Sequence, residues 1–203
     1  MKRFITLLLL PLLYLLVAHG QQTEESKVLE ASSTGGKIVN AAKTQIGKTK
    51  WYDSGYKAIP YPDGDIPIER GVCTDVVIRA LRDALNYDLQ KQVHLDMRRN
   101  FSQYPKIWGL KGTDKNIDHR RVPNLRVFLK RKATSLPVTE EAADYKPGDL
   151  VTCMVGNRPH IMIVSDRTSS DGTPLIIHNI GSGAKEEHSL FTYKLTGHFR
   201  IKL

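Results

Sequence analysis

Apolar residues recur every three or four positions in the first two thirds of the chain and every second position in the last third. In GGKIVNAAKTQIG, Ile38, Ala42 and Ile46 are four apart, with Val39 beside them. That spacing predicts a helix closed by Gly47. A second helix is expected from Cys73 on, with Val76, Val77, Ala80, Leu81 and Ala84 along one side and an end near Asn86. Asp88 is placed to cap a third, LQKQVHLDMRRNF, in which Val93 and Met97 are four apart. Pro123 opens a short helix from Asn124 to Arg131. After residue 145 the period changes to two. DLVTCMV, HIMIVSD, PLIIHNI and TGHFRIKL read as strands, with turns at Asn157-Arg158-Pro159 and Ser170-Asp171-Gly172-Thr173. Helices followed by antiparallel strands make the class α+β. Residues 48–70, rich in Tyr, Pro and Gly, read as a loop. So do residues 101–122, a polar stretch long enough to be either functional or poorly ordered.

The first residues follow another rule. MKRF is a short basic start, ITLLLLPLLYLLVA an apolar run, and Ala18 and Gly20 a small-residue ending. This is the layout of a signal peptide, expected over residues 1–20 with cleavage after Gly20. The alternative is a retained anchor, but Pro11 interrupts the run and it is short for a hydrocarbon core of about 30 Å. No cysteine follows to carry a lipid, and no other segment is long and apolar enough to span. The mature chain is therefore expected to be exported, periplasmic or secreted, with no integral membrane segment. Residues 21–35 read as a flexible lead-in and 36–203 as one domain. Loss of Lys2 and Arg3 lowers the formal charge from +9 to +7. A basic surface suits an anionic neighbour, such as a wall polymer, lipid head groups or nucleic acid. Export argues against nucleic acid, as does the lack of a basic run with interleaved aromatics. The plainer alternative is a soluble surface that happens to be basic.

The two cysteines, Cys73 and Cys153, are too few for a disulfide scaffold, and without a CxxC pair they make a poor structural zinc site. Cys73 could be a buried small residue, half of a disulfide, a metal ligand or a nucleophile. A helix N-terminus favours negative charge and lowers a thiol pKa. A nucleophilic thiol also needs an imidazole, and that imidazole a partner to orient it. His160 opens one predicted strand and His178 lies near the end of the next. Alternation puts His160, Met162 and Val164 on one face and Ile176 and His178 together. That face is expected to pack against the Cys73 helix. Asn179 points opposite to His178, so one of these two is the orienting group. Cys73, His160 and His178 would also suit a transition metal. Cys153, mid-strand, reads as packing. His94, His119, His188 and His198 have no such partner pattern.

The pieces GVCTDVV, YKPGDLVTCMVGNRPHIMIVSD and PLIIHN resemble the NlpC-type cell-wall cysteine peptidases, which have compact papain-like folds. The longer series GVCTD, NIDHRRVPNL, PGDLV, PHIMIV, IHNIGSG and GHFR is similar to an exported, YijF-like branch of that superfamily, over about residues 36–203. The resemblance implies a peptidase or amidase acting on peptidoglycan stem peptides, with no metal or other cofactor. It assigns Cys73 as nucleophile, His160 as base and His178 as the ring-orienting residue. It also implies a tyrosine near the oxyanion, for which Tyr61 is the nearest match and Tyr56 the second. Thr74 and Asp75 depart from the usual Ser-Gly after the cysteine, and the 101–122 insertion has no counterpart in the simplest members. Arg120 and Arg121 suit bidentate binding of a substrate carboxylate, though a solvated charged turn is the alternative. Asp65 and Arg70 flank the approach to the cysteine and are either substrate-facing or structural. Trp108 and Tyr104 either cover a groove or anchor the long loop. The rival to an enzyme is a wall-binding protein that keeps the fold without the catalysis.

Overall fold

The structure is a computed structural model and describes residues 30–202. The expected signal peptide lies outside the described residues, as does the lead-in up to residue 29. Glu30–Ser32 are helical, and Thr34, within the expected flexible lead-in, already opens a helix. The unit that carries the fold begins there. Among the described residues, no helix is long and apolar enough to cross a membrane.

Four helices follow the expected periodicity. Helix α1 (Thr34–Lys43) buries Ile38, Val39, Ala41 and Ala42. It stops before Ile46, which is therefore 39% exposed rather than on the buried stripe. Gln45 turns inward instead, and its Nε2 donates to the Val76 carbonyl at 2.9 Å. Helix α2 (Cys73–Leu85) ends on Asn86 in the left-handed region, φ 51°. In helix α3 (Leu89–Asn100), the Asp88 carboxylate accepts the Lys91 N–H at 3.0 Å, satisfying one of the end's unpaired donors. Helix α4 (Val122–Lys132) carries Pro123 in its first turn, where the missing N–H costs nothing.

Strands β1 (Trp51–Tyr52) and β2 (Arg70–Gly71) form a short parallel pair within the segment expected to be loop. A six-stranded antiparallel sheet contains β3 (Thr134–Leu136), β4 (Leu150–Val155), β5 (Arg158–Thr168), β6 (Pro174–His178), β7 (Lys185–Glu187) and β8 (Lys194–Arg200). Its order is β3-β8-β4-β5-β6-β7. The α+β expectation holds, with two strands, β3 and β7, beyond those read from the periodicity. The β4–β5 turn is Gly156-Asn157, one residue earlier than expected, because Arg158 and Pro159 already pair with Val155 and Met154. Gly156 supplies the positive φ that a two-residue hairpin requires.

Both faces of the sheet are covered. Leu150, Ile161, Ile163, Ile177 and Phe199 pack with the four helices. Val151, Cys153, Met162, Val164 and Ile176 face the other way, under Tyr145 and Leu190. Helix α1 meets the turn before β4 backbone to backbone. A Cβ on Gly35 would lie 2.1 Å from the Pro147 oxygen, and one on Gly148 would lie 2.4 Å from the Gly35 Cα.

Asp149, fully buried at the head of β4, ties that turn to β8. It receives Arg200 Nε at 2.6 Å, Arg200 Nη2 at 2.7 Å and His198 Nε2 at 2.8 Å. Tyr145 stacks on the His198 ring at 4.3 Å. Burial alone would raise the Asp149 carboxyl, but the Arg200 and His198 bonds outweigh it and hold the pKa below the usual carboxylate range. A depressed folded-state pKa gives stability that is complete above the unfolded value, about 3.9, and lost as pH falls through the folded one. Asp149→Asn is expected to cost roughly 1–3 kcal/mol in urea unfolding near neutral pH, because the paired charge-assisted bonds to Arg200 are replaced by at most one to a neutral amide. It should also flatten the fall in stability toward acid pH.

Candidate active site

Cys73 is held by the extended residues before it. Tyr52 is in register with Gly71 across the β1–β2 pair. The Gly71 carbonyl accepts the Asp53 N–H at 3.1 Å and Asn179 Nδ2 at 3.0 Å, which pins this segment to the end of β6. Asp75, in the first turn of α2, reaches back to accept the Val72 N–H at 2.7 Å. Its carboxylate also takes Arg120 in two parallel bonds, Nε to Oδ1 and Nη2 to Oδ2, both 2.9 Å. The same guanidinium donates to the Asp53 and Gly55 carbonyls at 3.0 and 3.3 Å. Thr74 Oγ1 donates to the Arg120 carbonyl at 3.2 Å. The Thr-Asp pair that departs from Ser-Gly after the cysteine is thus a lock on the helix start.

The thiol itself is free and 3% exposed. Burial pushes it up to about 12; the N–H groups of Ile161 and Thr74 pull it down and the Asp75 carboxylate pushes it further up. The helix-end expectation of a lowered pKa is therefore reversed, because loss of water outweighs the helix dipole. Cys153, also free, is packed in the second core layer.

The two imidazoles come together as expected. His160 Nε2 lies 2.8 Å from His178 Nδ1, with ring centres 5.0 Å apart and planes at 79°. His178 Nε2 lies 3.1 Å from Glu187 Oε2. Burial drives His160 down to about 3, with His178 adding to it; burial lowers His178 as well, against the pull of Glu187. His178 rather than Asn179 is the partner of His160, since Asn179 is committed to Gly71.

The expected packing of the histidine face against α2 is not what forms. His160 and His178 share the alternation of Met162, Val164 and Ile176, whereas α2 lies over Ile161, Ile163 and Ile177. Pairing of β6 with β5 begins only at Ile163, and Ile161, next to His160, packs in the same core cluster as Cys73. Among the described residues, no hydrogen bond joins that sulfur to either ring, and no cluster of three or more His, Cys, Asp or Glu is arranged to hold a metal.

Other candidates lie elsewhere. Arg120 is buried and spent on Asp75, so it does not face a substrate carboxylate. Arg121 lies over the Trp108 ring at 4.2 Å and near Asp118 at 3.4 Å. Asp65 receives Arg79 Nε and Nη2, each at 2.9 Å, and Arg82 Nη1 at 3.1 Å, a structural role. Tyr61 packs edge-on against His94 at 5.2 Å. The exposed Tyr56 bonds Asp114 at 3.1 Å and Asn116 at 2.9 Å. Tyr104 is buried and donates to Asp96 at 2.7 Å, anchoring the start of the long loop. Tyr52, in register with Gly71 two residues before the cysteine, has its hydroxyl pKa raised by partial burial and then by Cys73. Sequence reading missed it because a two-residue strand has no periodicity to detect. Glu187 was missed for the same reason, on a polar strand of three residues.

Residues 39–201 match the family described as Domain of unknown function (DUF1287). The chain belongs to that family. A DUF1287 chain of this kind is also similar to "Uncharacterized protein YijF" of Escherichia coli (strain K12), 51% identical over 170 residues, which cover 83% of this chain and 82% of that protein. The matched DUF1287 segment contains Cys73, His160, His178, Tyr52 and Glu187.

Two outcomes follow from the geometry. Arg120→Met is expected to lower unfolding free energy by about 3–5 kcal/mol in urea titration, since it strands the buried Asp75 carboxylate. Cys73 in the folded protein is expected to alkylate more slowly near neutral pH than an unfolded-chain thiol of pKa about 8.5, with a rate that climbs about tenfold per pH unit. Rapid labelling at pH 7 would contradict the burial argument.

Proposed function

We propose that this chain is an exported cysteine peptidase or amidase of papain-like, NlpC-type fold that hydrolyses peptide bonds in peptidoglycan stem peptides. The observations that support this reading are Cys73 in the first turn of α2, packed in one core cluster with Ile161, the neighbour of His160, and the His160 ring held 2.8 Å from that of His178. A helix-borne cysteine meeting a sheet that carries paired histidines is the arrangement the family resemblance implies. The basic composition suits an anionic wall.

At rest the sulfur is a thiol and the rings are neutral, so the proton moves as the bond forms. Cys73 attacks the peptide carbonyl while His160 accepts the thiol proton. The oxyanion is met by backbone N–H groups at the start of α2, with the Tyr52 hydroxyl taking the place expected for Tyr61. As the C–N bond breaks, His160 returns the proton to the departing amine. Water then hydrolyses the thioester and regenerates the thiol. His178 orients His160 throughout.

A second reading, a non-catalytic wall-binding protein, is favoured by the depth of the thiol and its raised pKa. Mass spectrometry of muropeptides incubated with the mature protein separates the two. The enzyme reading expects new cleavage products that Cys73→Ala abolishes while circular dichroism stays unchanged. Turnover undiminished in that variant rejects the mechanism. Sacculus binding without products from either protein selects the binding module.

A further inference from the structure

A hydrogen bond between two imidazoles contains one proton, so one ring must donate and the other accept. Which does so is decided here by the far end of the chain. Both rings are buried, and water-deprived imidazoles in this setting are neutral. A neutral imidazole has one N–H and one bare nitrogen. Glu187 Oε2 faces His178 Nε2, and a carboxylate only accepts. His178 must therefore place its single proton on Nε2, which leaves its Nδ1 bare. The bare Nδ1 lies 2.8 Å from His160 Nε2, so His160 must donate from Nε2. The one proton of His160 is then spent, and its Nδ1 carries a free lone pair.

We propose that Glu187 is a positioning residue that sets the tautomers of both rings and thereby makes Nδ1 of His160 the basic nitrogen of the pair. The use of that nitrogen as a base toward Cys73 rests on the peptidase reading; the proton pattern does not. The edge strand β7 is placed for the task, since its register sets Lys185 opposite His178 and Glu187 opposite Ile176. Glu187 reaches along the strand to the ring, and its other oxygen lies 4.0 Å from Lys185 Nζ. A donor in place of this carboxylate would invert the sequence of bonds. His178 would accept at Nε2 and donate from Nδ1, His160 would accept at Nε2, and its Nδ1 would carry a proton and cease to be basic.

Long-range proton–nitrogen correlation spectra of protein with nitrogen-15 histidine report which ring nitrogen is protonated. In the unsubstituted protein at neutral pH, His160 and His178 are both expected to show Nε2 protonated and Nδ1 bare. Glu187→Asp, which keeps an acceptor, should retain this pattern. Glu187→Lys, which only donates, should exchange the protonated and bare signals in both rings. A proton on His178 Nδ1 in the unsubstituted protein overturns the proposal without any variant. Unchanged tautomers in Glu187→Lys overturn it too. Because no turnover is read, absence of peptidase activity with the expected tautomers would fail the proposed function alone.

Discussion

The paired bonds between Arg120 and Asp75 are the constraint on which the rest of the site depends. Both groups are buried, and a charge in that setting persists only when its partner satisfies it. The pair joins residues 45 positions apart in the chain. It takes the carboxylate that also caps α2 and the guanidinium that also holds the 53–55 backbone. The long polar insertion thus ends beneath the cysteine, and its arginine helps to fix where the helix begins. Residues read as suited to substrate recognition serve to hold the framework in which recognition would occur.

That framework is dry, and dryness decides the state of the thiol. A helix N-terminus favours an anion by at most about 2 kcal/mol. The rise in Cys73 to about 12 corresponds to roughly 4–5 kcal/mol against ionisation. The same loss of water disfavours the imidazolium form of the two histidines, and both stay neutral. A resting ion pair between sulfur and imidazole is disfavoured on both sides. Under the peptidase reading, attack by the thiol would have to create charge and neutralise it in one event.

Long periodic elements were legible from the chain. The four helices and the four main strands lie where Val76 to Leu81, Val93 and Met97, and the alternating residues after 145 placed them. The His160–His178 contact was legible too, since two strands joined by a tight turn bring their imidazoles within reach. What could not be read is set by single long-range bonds. Nothing in local pattern tells that Asn179 serves Gly71, that Asp65 serves Arg79, or that Arg120 faces inward. The helix-facing side of the sheet was misread because Ile161 to Val164 in HIMIVSD are all apolar, so both faces look equally buried. Tyr52 and Glu187 sit on strands of two and three residues, too short to show a period.

Strand β7 has a consequence beyond the imidazoles. It closes one side of the sheet with Lys-Glu-Glu, three charged residues and nothing apolar. An exposed sheet margin invites a foreign strand to add to it, and short charged segments are how natural proteins discourage this. The strand that orients the histidines therefore also guards the molecule against self-association. A substitution that made it more hydrophobic would trade away colloidal solubility as well as the order of the protons beside it.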